Sequence, residues 1–213
     1  MIVVQDTYHP GDDGLFLLLD LLRQARKRWV ARHGQDLGGR LLVPFTGLGR
    51  QVIWQFELDS FGLYEALRLA SEQDDEGAHL ARRIDASCRN RTCTFHTVVG
   101  HEDEDAEVRL DGVVVQARYV PRHGQRDRCL SLLREWQRDW ASAHEPAMKG
   151  RILGFTSTGV THDLIWQAEY PSAADYERAY KRWSSSEAFD AWAHDFRDSY
   201  ASNTHAILRI EDA

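Results

Sequence analysis

Apolar and polar positions alternate with a period of two in several separated stretches, and the stretches come in pairs. VVQDTY at Val3 pairs with VVQARY at Val114, and VIWQFEL at Val52 with LIWQAEY at Leu164. β-Branched and aromatic residues at this period predict strands. Helical spacing lies between them, in LLDLLRQARKRW at 18–29 and CLSLLREWQRDW at 129–140. Leu21, Leu22, Arg23 and Trp29 recur at one constant spacing as Leu132, Leu133, Arg134 and Trp140. GRLLVPFTG from Gly39 and GRILGFTSTG from Gly150 predict the outgoing strands of two hairpins, with turns beginning at Gly47 and Gly159. Further helices follow each return strand, and Ser71 and Ser186 read as breaks or caps within them. TCTFHTVV at Thr92 and THAILRI at Thr204 predict a closing strand in each half.

Each half thus reads β-α-β-β-α-β, the ferredoxin-like pattern. The expected fold class is α+β. Two tandem ferredoxin-like units, 1–100 and 113–213, would be joined by the charged linker 101–112 and packed sheet to sheet as an intramolecular dimeric α/β barrel. The reasoning is physical. Two helices cover one face of a four-stranded sheet, and the other face needs a partner. A fused second copy supplies that partner at high effective concentration.

Period-two alternation also sorts the side chains. Val4 and Tyr8 share one face, and Val3, Gln5 and Thr7 share the other. Trp54 and Phe56 oppose Gln55 and Glu57; Trp166 and Ala168 oppose Gln167 and Glu169. The apolar sets are expected against the helices. The mixed set, Gln5, Gln55, Glu57 and His96 with Gln116, Gln167, Glu169 and His205, is expected on the sheet-to-sheet side. His96 and His205 are the candidate catalytic bases, with Glu57 and Glu169 to orient the rings and raise their pKa values. Gln5, Gln55, Gln116 and Gln167 are candidate ligand contacts, or else a hydrogen-bonded amide network. Trp54 and Trp166 are candidate walls of an aromatic pocket, or else core anchors.

Composition narrows the classes. The formal charge of −7 over 213 residues disfavours a general nucleic-acid binder. Only Lys27, Lys149 and Lys181 are lysines, a skew toward arginine that fits a GC-rich bacterial genome. Cys88, Cys93 and Cys129 form no zinc spacing, and no metal or cofactor is expected. The apolar run LFLLLDLL at Leu15 is too short to span a membrane. With no signal peptide visible, a cytoplasmic location is expected. GLG at Gly47 sits in a hairpin and lacks the strand-to-helix setting of a dinucleotide fingerprint; neither a P-loop nor a GxSxG elbow occurs. His144 and Glu145 near Pro146 read as helix termination.

Three pieces carry a family resemblance: the GRILGFTSTG hairpin, the junction LIWQAEYPSAADYERAYKRW and the helix SSEAFDAWAHDFRDSY. On them the chain resembles the dimeric α/β-barrel superfamily and, within it, the NIPSNAP-type domain. The resembling features fall on Gly154, Trp166, Arg182 and Trp192. The first half departs, since 72–77 lacks the aromatic pair Phe189 and Trp192. The resemblance implies a superfamily of cofactor-free quinone-forming monooxygenases, haem-binding and haem-degrading proteins, and small-molecule dehydratases or isomerases. Such a fold is poor evidence for one reaction.

Three functions are therefore expected, in order. The first is NIPSNAP-like binding of a small apolar or aromatic molecule. The second is cofactor-independent monooxygenation or isomerisation of an aromatic or polyketide-like substrate. The third is a structural or protein-interaction module. The expected partners are a small-molecule ligand and a further copy of the chain in a homo-oligomer, with no nucleic acid and no membrane.

Overall fold

The computed structural model describes residues 1–12, 14–45, 51–100, 111–141, 148–155 and 163–211. The hairpin turns at Gly47 and Gly159, most of the 101–112 linker, and His144, Glu145 and Pro146 lie outside the described residues. The elements run β1 (Ile2–Pro10), α1 (Leu15–His33), β2 (Arg40–Pro44), β3 (Val52–Leu58), α2 (Phe61–Glu72), α3 (Asp75–Ser87) and β4 (Cys88–Gly100). They continue with β5 (Val113–Pro121), α4 (Arg126–Glu135), β6 (Lys149–Phe155), β7 (Leu164–Tyr170), α5 (Ala173–Ser184), α6 (Glu187–Arg197) and β8 (Tyr200–Glu211). No described helix is long and apolar enough to cross a membrane.

One finding corrects the expected fold class. The eight strands belong to one antiparallel sheet, not to two four-stranded sheets laid face to face. By contacts the chain falls into two compact units. One contains residues 1–96 with the end of β8 from Ile210, and the other contains 97–209, so β4 and β8 each divide between them. The tandem-repeat and dimeric α/β-barrel description is therefore replaced by an α+β fold with an eight-stranded antiparallel sheet and, among the described residues, six α-helices. Periodicity specifies strands and faces, but it does not say which strands pair across the chain.

In the first unit β1 pairs with β3, and β3 pairs with β2. Val4 lies opposite Phe56, Gln5 opposite Gln55 and Asp6 opposite Trp54. Val4, Tyr8, Trp54 and Phe56 pack with Leu18, Leu21 and Leu22 of α1 and with Leu80 and Ile84 of α3. In the second unit β5 pairs with β7 and β8, and β7 pairs with β6. Val115, Tyr119, Trp166 and Tyr170 pack with Leu133 and Trp136, with Ala179 and Trp183 of α5, and with Phe196 of α6. Trp136 opens a π-helical turn, Trp136–Ala141, where a regular helix was expected to run on from α4.

Local signals explain the helix ends. The hydroxyls of Ser60, Ser172 and Ser186 accept from the backbone N–H groups of Leu63, Asp175 and Phe189, and so cap α2, α5 and α6. Ser71 does not cap; its hydroxyl donates back to the Leu67 carbonyl at 3.0 Å. Gly39 enters β2 at φ +58°, where an added Cβ would sit 2.3 Å from the Gln55 carbonyl oxygen. Both the dihedral and the close approach require glycine. Gly39→Ala is expected to cost about 1–3 kcal/mol, read as a lowered urea midpoint with an unchanged slope.

Candidate functional site

Strand register gathers most of the sequence-predicted polar residues. Gln5, Gln55 and Arg40 form a row across β1, β3 and β2; Gln116, Gln167 and Arg151 form a row across β5, β7 and β6. Arg40 donates from Nη2 to Gln55 Oε1 at 3.4 Å, and Arg151 donates from Nε to Gln167 Oε1 at 2.7 Å. Both arginines are buried. Among the described residues, Nε2 of Gln5 and Nε2 of Gln116 find no partner. Glu57 lies opposite Val3; Glu169 is buried, opposite Val114 and Lys149.

The two histidines do not share a setting. His96 is fully buried, with Nε2 2.9 Å from Thr94 Oγ1. His205 lies opposite Ala117 in β5, while its neighbour Ala206 lies opposite Gln116. His205 therefore faces the helices, away from Gln116 and Gln167, with its ring edge-on to Tyr119 at 6.1 Å.

That placement puts His205 in the wall of an aromatic pocket of about 210 Å³ in the second unit. Trp166, Tyr176 and Trp183 line it with Trp192, Phe196 and Tyr200, and Arg197 and Asn203 add polar groups. The rings brace one another: Trp136 meets Trp183 edge-on at 5.4 Å, and Trp192 stacks on Phe196 at 4.6 Å. The Asn203 carboxamide nitrogen is 2.7 Å from His205 Nε2. An amide nitrogen can only donate, so this contact assigns the neutral ring's proton to Nδ1. His205 is exposed as a whole, yet its imidazole is partly desolvated, which lowers its pKa and keeps it neutral at neutral pH. Burial also raises the pKa values of Tyr119 and Tyr176.

The first unit holds a different cavity, of about 490 Å³, between its sheet and helices. Trp54 lines it with Trp29, Phe56 and Tyr64. Its polar centre is Asp6, 5% exposed, whose Oδ2 accepts from Arg91 Nη2 at 2.9 Å and from the Tyr8 hydroxyl at 3.4 Å. Burial opposes the Arg91 charge, but Asp6 and Tyr8 outweigh it and hold the guanidinium above its ordinary pKa. Burial and then Asp6 raise Tyr8. Cys93 lies 3.5 Å from the Tyr64 hydroxyl, and burial, reinforced by Asp6, pushes its thiol up to about 12.

Trp54 and Trp166 thus line cavities on the helix side. Gln5, Gln55, Gln116 and Gln167 lie on the opposite face of the sheet. Sequence reasoning missed Asp6, Arg91, Arg40, Arg151 and Asn203. The signal for Asp6 was present: it shares the face of Val4 and Tyr8, which makes it a lone carboxylate on an apolar strand face. No group of three or more histidine, cysteine, aspartate and glutamate residues among the described residues is arranged to hold a metal.

No family model and no curated protein matches the chain. Solved structures do. A candidate monooxygenase from Fusobacterium nucleatum aligns with a TM-score of 0.69 at 9% identity, over 98% of this chain and 91% of that one. An anthrone oxidase-like protein aligns at 0.67 and 14%, over 99% and 91%. A candidate monooxygenase from Lactobacillus acidophilus aligns at 0.64 and 9%, over 98% and 93%. At these identities the likeness is one of fold alone. NIPSNAP-domain proteins from Burkholderia xenovorans and Agrobacterium tumefaciens align with only 51% of the chain, at TM-scores of 0.40 and 0.39. Likenesses at these scores carry no argument about this chain.

The thiols give a direct check of the buried setting. Burial raises Cys88, Cys93 and Cys129 alike, and the thiolate is the reactive form. The folded protein is expected to resist iodoacetamide at pH 8, while the denatured chain labels at all three, as read by intact mass.

Proposed function

We propose that the aromatic pocket of the second unit binds a small planar aromatic molecule and that the protein oxygenates it without a cofactor. The observation that carries this reading is the His205 ring, 2.7 Å from the Asn203 carboxamide nitrogen, in a wall built largely from tryptophan, tyrosine and phenylalanine. A largely apolar cavity with a few convergent polar groups is the usual form of a small-molecule site. The fold-level likeness to an anthrone oxidase-like protein suggests the substrate class, a ketone or phenol flanked by fused rings.

The chemistry for an anthrone balances without any added reductant. Asn203 donates to Nε2, and Nδ1–H donates to the substrate carbonyl. That bond strengthens as the carbon-bound proton leaves to water at the open mouth and charge collects on oxygen, the arrangement that stabilises an enolate. The enolate is the reductant and dioxygen the oxidant. A carbon–oxygen bond forms, and the resulting peroxide loses one water to give the quinone. One anthrone and one O₂ yield one anthraquinone and one water.

Oxygen uptake with anthrone as the probe, alongside quinone absorbance, tests the proposal. His205→Ala is expected to lower kcat about 100-fold, the scale for loss of one oxyanion donor, with an unchanged melting temperature. Wild-type turnover equal to the uncatalysed rate would reject the reading. The pH profile has a defined sign. The folded pKa of His205 lies below its ordinary value, so activity is flat above that value and falls as the pH drops through the lower one. Protonation puts a second N–H against the Asn203 donor. The same shift makes His205 destabilising only on the acid side, where the unfolded chain binds the proton more readily.

A further inference from the structure

We propose that the hydroxyls of Tyr119 and Tyr176 determine specificity in the aromatic pocket of the second unit, by binding a free hydroxyl carried on the ligand's ring system. The inference rests on the reading that this pocket takes a planar aromatic molecule; it does not need the oxygenation step. Both tyrosines line the cavity. Tyr119 is 7% exposed and Tyr176 is half-buried. Among the described residues no side chain hydrogen-bonds either hydroxyl. Neither hydroxyl is an enclosed unpartnered atom, so both stay accessible to whatever enters.

The first unit holds the same two tyrosines with their hydroxyls already engaged. Tyr8 closes VVQDTY as Tyr119 closes VVQARY, and it lies opposite Val52 as Tyr119 lies opposite Leu164. The Tyr8 hydroxyl donates to Asp6 Oδ2 at 3.4 Å. In the second unit Ala117 stands at that position, opposite Trp166 as Asp6 is opposite Trp54, and offers only a methyl group. Tyr64 and Tyr176 match in the same way. Each sits in the first turn of its helix and donates its backbone N–H to the carbonyl of the capping serine, Ser60 or Ser172. The Tyr64 hydroxyl lies 3.5 Å from Cys93 Sγ; that of Tyr176 has no such contact. Buried tyrosines ordinarily find a partner for the hydroxyl. For packing alone, phenylalanine would serve at both positions of the second unit.

The chemistry of the pair defines what completes it. Burial raises both pKa values, and repulsion between ionised forms of Tyr200, Tyr176 and Tyr119 raises Tyr119 further. The three hydroxyls are therefore neighbours, and they remain protonated. Each can donate one hydrogen bond and accept others. A ring hydroxyl on the ligand has the same double capacity, so it can accept from one tyrosine and donate to the other. An ether can only accept, and a bare ring edge does neither. A pocket that hydrogen-bonds a hydroxyl turns away the analogue lacking it, because its own polar groups then lose water without replacement. His205 and Asn203 are left for the ligand's carbonyl.

The test uses 9-fluorenone, a fused-ring ketone with no methylene to oxidise, with its isomeric monohydroxy derivatives and their methyl ethers. Binding is followed by calorimetry and by quenching of tryptophan fluorescence. At least one hydroxyfluorenone is expected to bind about tenfold tighter than fluorenone and than its own ether, the scale of one or two neutral hydrogen bonds. The double variant Tyr119→Phe/Tyr176→Phe is expected to bring that ratio close to one, and each single variant to lose part of it. The ratio is taken within each protein, so a general loosening of the pocket does not imitate the effect. Saturable binding of fluorenone with no advantage for any hydroxy isomer would overturn this inference and leave the pocket reading intact. An advantage that persists in the double variant would overturn it too. If no member of the series binds, the pocket reading falls and takes the inference with it. The ratio in the unaltered protein decides the matter even if the variants fail to fold.

Discussion

Antiparallel register sets glutamine opposite glutamine in both β1–β3 and β5–β7, and by the period of two it sends Trp54 and Trp166 to the other side. Everything of chemical interest follows from that division. One face carries amides backed by buried arginines. The other presents aromatic rings to the helices. A slip of one residue would exchange the two sets and bury Arg40 and Arg151 among the tryptophans. The glutamine pairs therefore do as much to define the aromatic cavities as the rings that line them.

The two units use the same strand register for different chemistry. Where the second presents Ala117 and Ala168 beside Trp166, the first presents Asp6 and Phe56 beside Trp54. The second gains its polar group from β8 through His205 and Asn203, whereas the first draws Arg91 from β4. A shared backbone pattern thus carries a neutral imidazole in one unit and an ion pair in the other.

Much of this was legible in the chain. VIWQFEL and LIWQAEY are the strands β3 and β7 to the residue, because β-branched and aromatic alternation is an unambiguous strand signal. Ser186 was readable as a cap because its hydroxyl has the sequence context to accept from Phe189. Strand pairing across the chain was not readable, since alternation says nothing of which edges meet, and the expected stacking of two separate sheets failed on that point. His96 and His205 looked equivalent by alignment. A difference of one position places His205 among aromatic rings and leaves His96 buried beside Thr94. Arg40 and Arg151 escaped notice because a charged residue at a strand start reads as exposed until its amide partner is known.

Beside α1 and the start of α3 lies a smaller hollow, of about 150 Å³, lined in part by Arg28, Arg32 and Asp74. Arg28 of α1 bonds Asp74 at 2.7 Å and also reaches Glu76, and Arg32 lies 3.4 Å from Asp74. These groups face solvent, where such pairs hold weakly and yield to added electrolyte. α1 and α3 are thus joined at the surface by contacts far softer than the leucines beneath them. Added salt acts on that outer seam and leaves the apolar packing below it untouched.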